Sequence, residues 1–204
     1  MIRPSLWLPL VALCLGTLPS TAQDANLAKQ ARKLHSLASG PMCERTDGGY
    51  VPEDELQSWT FSYVPSYADD AEKEEVTLIR IFCGAGAYNL QHAYYWYREY
   101  DGLQPLAFAE PTFETKYDDD DLLEGKLESV TVSGMTAATI LVNSEFDPET
   151  LTVTSHSLWR GIGDASSSGT WMFRDGQFAL VSYDVDASYD GEVNPETLVD
   201  FQAR

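Results

Sequence analysis

The stretch from Leu158 to Val185 reads LWRGIGDASSSGTWMFRDGQFALVSYDV, and its punctuation decides the fold. A strand end leads into a loop of glycine, serine and one aspartate, then into two apolar-rich runs joined at Asp175-Gly176. Both central residues of a type I′ turn need positive φ, which Asp-Gly accommodates, so the pattern specifies a two-residue β-hairpin.

Strand-like text continues on the N-terminal side. Trp59 to Val64 alternates, as does Val76 to Cys83, where Val76, Leu78, Arg80 and Phe82 face one way and Thr77, Ile79, Ile81 and Cys83 the other. Period two in β-branched and aromatic residues argues strand. Tyr67 to Glu75 reads as an acidic surface loop, and Gly84 to Asn89 as a turn into the aromatic run AYYWYREY at Ala93 to Tyr100. Leu106 to Glu110 and Thr112 to Tyr117 read as a strand pair about Pro111, and the aspartates from Asp118 to Asp121 as a loop tip. Leu127 to Ser133 and Thr139 to Asn143 are short strands, and Phe146 to Glu149 turns into Leu151 to Trp159. Before all of these, Leu27, Ala31, Leu34 and Leu37 recur at helical spacing over Asn26 to Ala38, with Asp24 or Asn26 to cap the start and Gly40-Pro41 to end it. The expectation is a mainly β chain: an antiparallel β-sandwich or barrel-like sheet with one N-terminal helix.

The first residues carry one charge at Arg3, an apolar run from Leu6 to Leu18, and small residues Ser20 and Ala22. That order describes a secretory signal over residues 1–22, with a single β-rich domain over 23–204 beginning at Gln23 and delivered to a periplasm or the exterior. A lipid anchor at Cys14 is disfavoured, because Leu13 stands where a small residue is expected. No later stretch is long and apolar enough to span a bilayer. Of three cysteines, Cys14 leaves with the signal, and Cys43 and Cys83 remain to form one disulfide in an exported chain. Closing that loop would contribute about 4 kcal/mol in the chain-entropy model.

The formal net charge is −19, and loss of Arg3 with the leader makes the remainder one unit more negative. A chain of that sign cannot displace counterions from phosphates, which disfavours nucleic acid, and anionic membrane surfaces repel it for the same reason. A cationic protein, peptide or cell-wall fragment is the natural partner.

Three separated motifs then carry a likeness. CGAGAYN at Cys83 to Asn89, NSEFDPETLTVTSHSLWRGIGDASSSGTW at Asn143 to Trp171, and FALVSYD at Phe178 to Asp184 occur in order. Together they resemble the bacterial exported proteins grouped as domain of unknown function 1176. The resemblance implies an envelope or periplasmic protein with no assigned reaction. It also implies a cysteine near Ala165 and another in the tail after Tyr183, and both are absent here. Joint loss is what a dispensable disulfide would show, and it argues against a catalytic thiol at Ala165.

The residues suggest several candidate sites. Gly161 to Asp164 followed by Ser166 to Gly169 could cradle an anion, but a phosphate loop opens a helix and carries lysine, whereas this one leads into strand text at Trp171. His35, His92 and His156 are the three histidines, and a hydrolase would need His156 to meet Asp164 and a nearby serine without any G-x-S-x-G elbow. Asp186, Ser188 and Asp190 match the first half of a calcium loop with Gly191 at its sixth place, but Thr197 stands where a bidentate acid is required. No cofactor is therefore expected beyond a weak case for calcium. Tyr94, Trp96 and Arg98 share one strand face and Tyr95, Tyr97 and Glu99 the other. The candidate binding surface is Tyr94 and Trp96 with Arg160, Asp164 and Trp171, serving an acidic module that works by binding rather than by catalysis.

Overall fold

The computed structural model describes residues 21–39, 43, 52–53, 55–68, 72–118 and 125–201. The expected secretory leader up to residue 20, the Gly40-Pro41 stop and Asp119 to Asp121 lie outside the described residues.

A single helix, α1 (Thr21–Ala38), begins five residues before the expected Asn26, so neither Asp24 nor Asn26 is its cap and Asp24 falls in the first turn. Leu27 and Ala31 are buried, while Leu37, expected on the same stripe, is 73% exposed. The helix packs on a sheet of β1 (Leu56–Tyr63), β2 (Glu74–Ala85), β3 (Leu90–Arg98) and β4 (Gly102–Pro105), all antiparallel. Its Leu27 and Ala31 meet Ile79, Ile81, Ala93 and Tyr95. Both faces of β2 are therefore covered. Leu78 enters the other core with Tyr94, so alternation in this strand separates two interiors rather than interior from water. The tyrosine row follows the same logic: Tyr94 and Tyr95 point to opposite faces and each is 1% exposed.

The β2–β3 register slips between Phe82 and Gly84, which makes Cys83 an extra, bulged residue. From that position it forms the disulfide with Cys43. Gly84 and Ala85 continue β2, and the turn expected from Gly84 narrows to Gly86–Asn89, closed by the Gly86 amide on the Asn89 carbonyl at 2.7 Å.

A two-stranded ribbon follows, β5 (Phe108–Tyr117) with β6 (Leu127–Ala138). The expected break at Pro111 does not occur, and the short strand expected over Leu127 to Ser133 runs on to Ala138. Among the described residues β5 has β6 as its only ladder partner, so half its amides are not needed for pairing and proline is tolerated inside the strand.

The chain next changes sheets. Strand β7 (Ile140–Val142) pairs with β3 in the first sheet, and β8 (Glu145–Asp147) pairs with β9 (Thr152–Leu158) in the second. Only Asn143 and Ser144 lie between. Asn143 adopts φ 42°, in the left-handed region that asparagine tolerates better than most residues. Its amide donates to the Leu90 carbonyl and its Oδ1 accepts the Leu90 amide, both at 2.7 Å, so the side chain completes a pairing that the turning backbone cannot. Its Nδ2 donates to the His156 carbonyl at 3.0 Å. Ser144, fully buried, receives the Tyr94 hydroxyl at 3.0 Å and lies 3.1 Å from His92 Nδ1. The Arg80 guanidinium, also buried, donates to the Ser144 carbonyl and to Gln57 Oε1 at 2.6 Å, and lies 3.3 Å from Glu145 Oε1.

The second sheet runs β12 (Glu196–Asp200), β11 (Gln177–Asp186), β10 (Ser166–Arg174), β9, β8. Its central hairpin is the expected one: Arg174 faces Gln177, with φ 45° at Asp175 and 82° at Gly176. Trp171, Leu180, Tyr183 and Val185 from this sheet meet Leu78 and Tyr94 from the first and Phe108 from the ribbon in one core. The architecture is a sandwich-like stack of open sheets, not a closed barrel.

The crossover gives a direct test. Asn143→Ala should lower stability by about 2–3 kcal/mol, since it removes side-chain hydrogen bonds and puts alanine where the left-handed backbone suits asparagine better. Asn143→Gly should lose only the hydrogen-bond part, and equilibrium denaturant titration of the pair separates the two contributions.

Candidate functional site

Two clefts open on this framework, and neither is lined by any of the five residues expected to form a binding surface. Tyr94 and Trp171 are core residues, each 1% exposed, because their strand faces turn toward the opposite sheet. The Trp171 indole donates to the Ala109 carbonyl at 2.7 Å. Trp96 is half-buried beneath Arg98, whose guanidinium carbon sits 3.9 Å from its ring centre.

Arg160 and Asp164 do meet, but each serves the other. The guanidinium grips the carboxylate through Nε at 2.6 Å and through NH2, and NH2 also donates to the Tyr189 carbonyl at 2.6 Å. The Gly191 amide adds a fourth bond, to Asp164 Oδ2 at 2.8 Å. The glycine-serine loop is thereby fastened to the tail, and it connects β9 to β10 as a tight β link. Chiefly through the Arg160 hydrogen bonds, the Asp164 carboxyl is held down at about 2. A carboxylate so committed is not available to orient His156, which is exposed on β9 opposite Ser168. The calcium half-loop is likewise turned on itself. Asp186 Oδ1 accepts the Ser188 hydroxyl at 2.7 Å, Asp186 Oδ2 accepts the Asn194 amide at 2.6 Å, and Asp190 accepts the Glu192 amide at 2.9 Å. These carboxylates hold a turn, and no cluster of three metal-binding side chains occurs among the described residues.

The larger cleft, about 720 Å³, lies where the first sheet opens, between the acidic loop and the far end of β3. Glu72, Glu74, Glu75 and Glu99 line it with Tyr67, Tyr97 and Tyr100, and Lys73 and Arg98 are its cations. Glu74 is the organised member. Its oxygens accept the Tyr67 hydroxyl at 2.5 Å and the Tyr63 hydroxyl at 2.8 Å. The Tyr67 bond first, then that of Tyr63, lowers the Glu74 carboxyl below its ordinary range. Burial, then Glu74, pushes Tyr63 up to about 12. The carboxylate therefore keeps its charge and both phenols keep their protons at any ordinary pH. Arg98, whose charge also acts on Glu74, donates to the Gly176 carbonyl at the hairpin tip and approaches Asp101 at 3.8 Å. Asp175 at the same tip accepts the Ser66 amide and hydroxyl at 2.8 and 2.7 Å, fixing the loop that carries Tyr67. Tyr67 and Tyr100 remain 81% and 93% exposed. The expected acidic surface loop supplies Tyr67, Ala68 and Glu72 to Glu75 to this cleft, and the recurrence of tyrosine among acids on both Tyr63–Glu75 and Tyr97–Tyr100 is its signal in the sequence.

The smaller cleft, about 160 Å³, enters between the sheets. Ser155, Ser157, Ser167, Gly169 and Tyr183 of the second sheet form one wall, Ile140 to Val142 another, and Glu110 of the ribbon a third. Gly169 is required there, since a β-carbon would stand 2.4 Å from the Trp171 ring. The buried His92–Ser144–Tyr94 cluster was also missed in the sequence; with Ser144 fully enclosed it is a crossover anchor.

With the geometry described, comparison with known families assigns the class. The family model described as a protein of unknown function, DUF1176, matches residues 71–193, and the chain belongs to that family. Comparison with curated proteins and with solved structures finds no match. The family motifs acquire structural meaning here: Asn89 and Asn143 clasp the strand ends, and Asp164 clasps the serine loop. Ala165, near which the resemblance implies a cysteine, is fully buried and adjoins Ser166, which faces Asp186 across the β10–β11 ladder.

The Arg160–Asp164 clasp predicts a pH signature. Because the folded carboxyl is depressed, its contribution to stability is complete above about pH 4 and is lost as pH falls toward 2. Asp164→Asn should be less stable at neutral pH and should flatten the melting temperature between pH 4 and 2.

Proposed function

We propose that the protein is an exported acidic binding protein that holds a cationic peptide, protein segment or cell-wall fragment in the cleft between the Glu72–Glu75 segment and the Arg98–Tyr100 end of β3. The observation that carries this reading is Glu74, kept charged by two tyrosine hydroxyls beside the exposed rings of Tyr67 and Tyr100. A fixed carboxylate gives a cation a low-mobility counter-charge, and tyrosine faces attract ammonium and guanidinium groups by about 0.5–2 kcal/mol each. The cleft is within the size range of sites that enclose ligands. The overall charge raises the encounter rate with a positive partner and keeps anionic polymers away. Export accords with the Cys43–Cys83 disulfide, a bond that persists in oxidising compartments, and among the described residues no helix is long and apolar enough to cross a membrane.

A lysine- and arginine-rich synthetic peptide titrated into the protein at low salt should bind saturably, and binding should weaken steeply with added salt. Glu74→Gln with Glu75→Gln should cost about tenfold in affinity and Tyr100→Ala about 1 kcal/mol, with unchanged melting temperatures. Absence of binding at low salt, or equal binding by the double variant, overturns the reading.

A further inference from the structure

The smaller cleft differs in kind from the acidic one, and its hydrogen-bond inventory specifies a ligand group. Tyr183 donates its hydroxyl proton to Glu110 Oε1 at 2.5 Å. Ser155 spends its proton on the Val142 carbonyl at 2.9 Å while accepting the Val142 amide at 3.2 Å. Ser167 accepts the Trp159 indole N–H at 3.3 Å. The Tyr183 and Ser155 protons are thus consumed within the wall. The lining offers the Glu110 carboxylate, the remaining hydroxyl lone pairs, and Ser157 and Ser167, whose hydroxyls can turn to accept. A site of one carboxylate and several neutral oxygens, with no side-chain cation in its lining, is complementary to a group that carries one positive charge and three hydrogens and accepts nothing.

We propose that this cleft binds a primary ammonium group, the end of a lysine side chain or of an alkyl diamine, with Glu110 as counter-ion and the serine hydroxyls as its other acceptors. The Ile140 to Val142 wall gives the methylenes behind it an apolar side, and a cleft of about 160 Å³ suits an aminoalkyl end rather than a whole peptide. Partial burial makes the pairing stronger than the same charges would be on an open surface. The site stands on its own lining and does not depend on the acidic cleft.

The probes are 1,5-diaminopentane and Nα-acetyl-lysine amide, titrated calorimetrically and by heteronuclear NMR into the whole protein, against the Nε-trimethylated lysine derivative. Both primary amines should bind saturably with shifts at Ser155, Ser157 and Ser167, and the trimethylated form, which has the charge but no hydrogens to donate, should bind at least tenfold more weakly. Glu110→Gln keeps an acceptor for Tyr183 and removes the charge, and should also cost at least tenfold. Glu74→Gln with Glu75→Gln should leave this binding unchanged, so the two clefts fail or succeed separately. Equal affinity for the trimethylated derivative, retention of binding by Glu110→Gln, or binding lost in the Glu74/Glu75 variant instead overturns the proposal. Should Glu110→Gln not fold, the comparison of primary with trimethylated amine on the unaltered protein decides.

Discussion

The buried guanidinium of Arg80 is the constraint on which the two-sheet arrangement depends. A charge at 4% exposure is tolerated only if its partners are fixed in advance, because the cost of removing it from water exceeds what a loose pairing returns. The partners come from three directions: Gln57 on the edge strand, the Ser144 carbonyl at the crossover, and Glu145 at the first residue of the second sheet. Trp59 lies 5.9 Å from the guanidinium carbon and covers it with a ring. The Ser144 and Glu145 contacts cannot form unless the chain leaves the first sheet at Asn143 and enters the second at Glu145. A charge in the middle of an apolar strand therefore selects one topology among the several that alternating residues alone would permit.

The same device recurs wherever loops must be held without strands. Asn89 bonds the backbone at both sides of Leu158, Asn143 bonds that at Leu90 and His156, Asp164 holds Gly191, and Asp175 holds Ser66. In each case a short polar side chain replaces a ladder rung that the turning backbone has lost. Asn89, Asn143 and Asp164 fall within the stretches that carry the family resemblance, so those stretches hold residues that join the sheets. Of the groups with chemistry to offer a ligand, Glu74 with its tyrosines and Glu110 lie outside those stretches, whereas Tyr183 lies within the third.

Local grammar was readable where one residue pair dictates one conformation. Asp175-Gly176 was such a pair, and so were the alternations in β1 and β2. Cys43 and Cys83 were paired by elimination, without geometry. The ribbon continues through Pro111, because proline breaks a strand only when both edges are paired, and edge count is a tertiary property. Tyr94 and Tyr95 are both enclosed because α1 covers the outer face, and one amphipathic helix in sequence does not announce which strands it will lie upon. Two residues of the expected binding surface are enclosed for a related reason. Trp171 and Tyr94 are large aromatics in strands, and their value to the fold as core filling outweighs any use at the surface. Glu74 with Tyr67, and Glu110 with Tyr183, pair residues that only the folded chain shows to be bonded.

Strand β2 is paired on both sides, covered on both faces and fastened at Cys83, whereas the ribbon has a strand, β6, most of whose side chains face water. Opening the molecule at β2 requires the helix, two ladders and the aromatic interior to yield together, while the ribbon can peel with far less lost. Breathing motions of the native state accordingly begin at the ribbon and spread inward, and since Glu110 is carried on β5, the narrow cleft sits on the part of the molecule that loosens first.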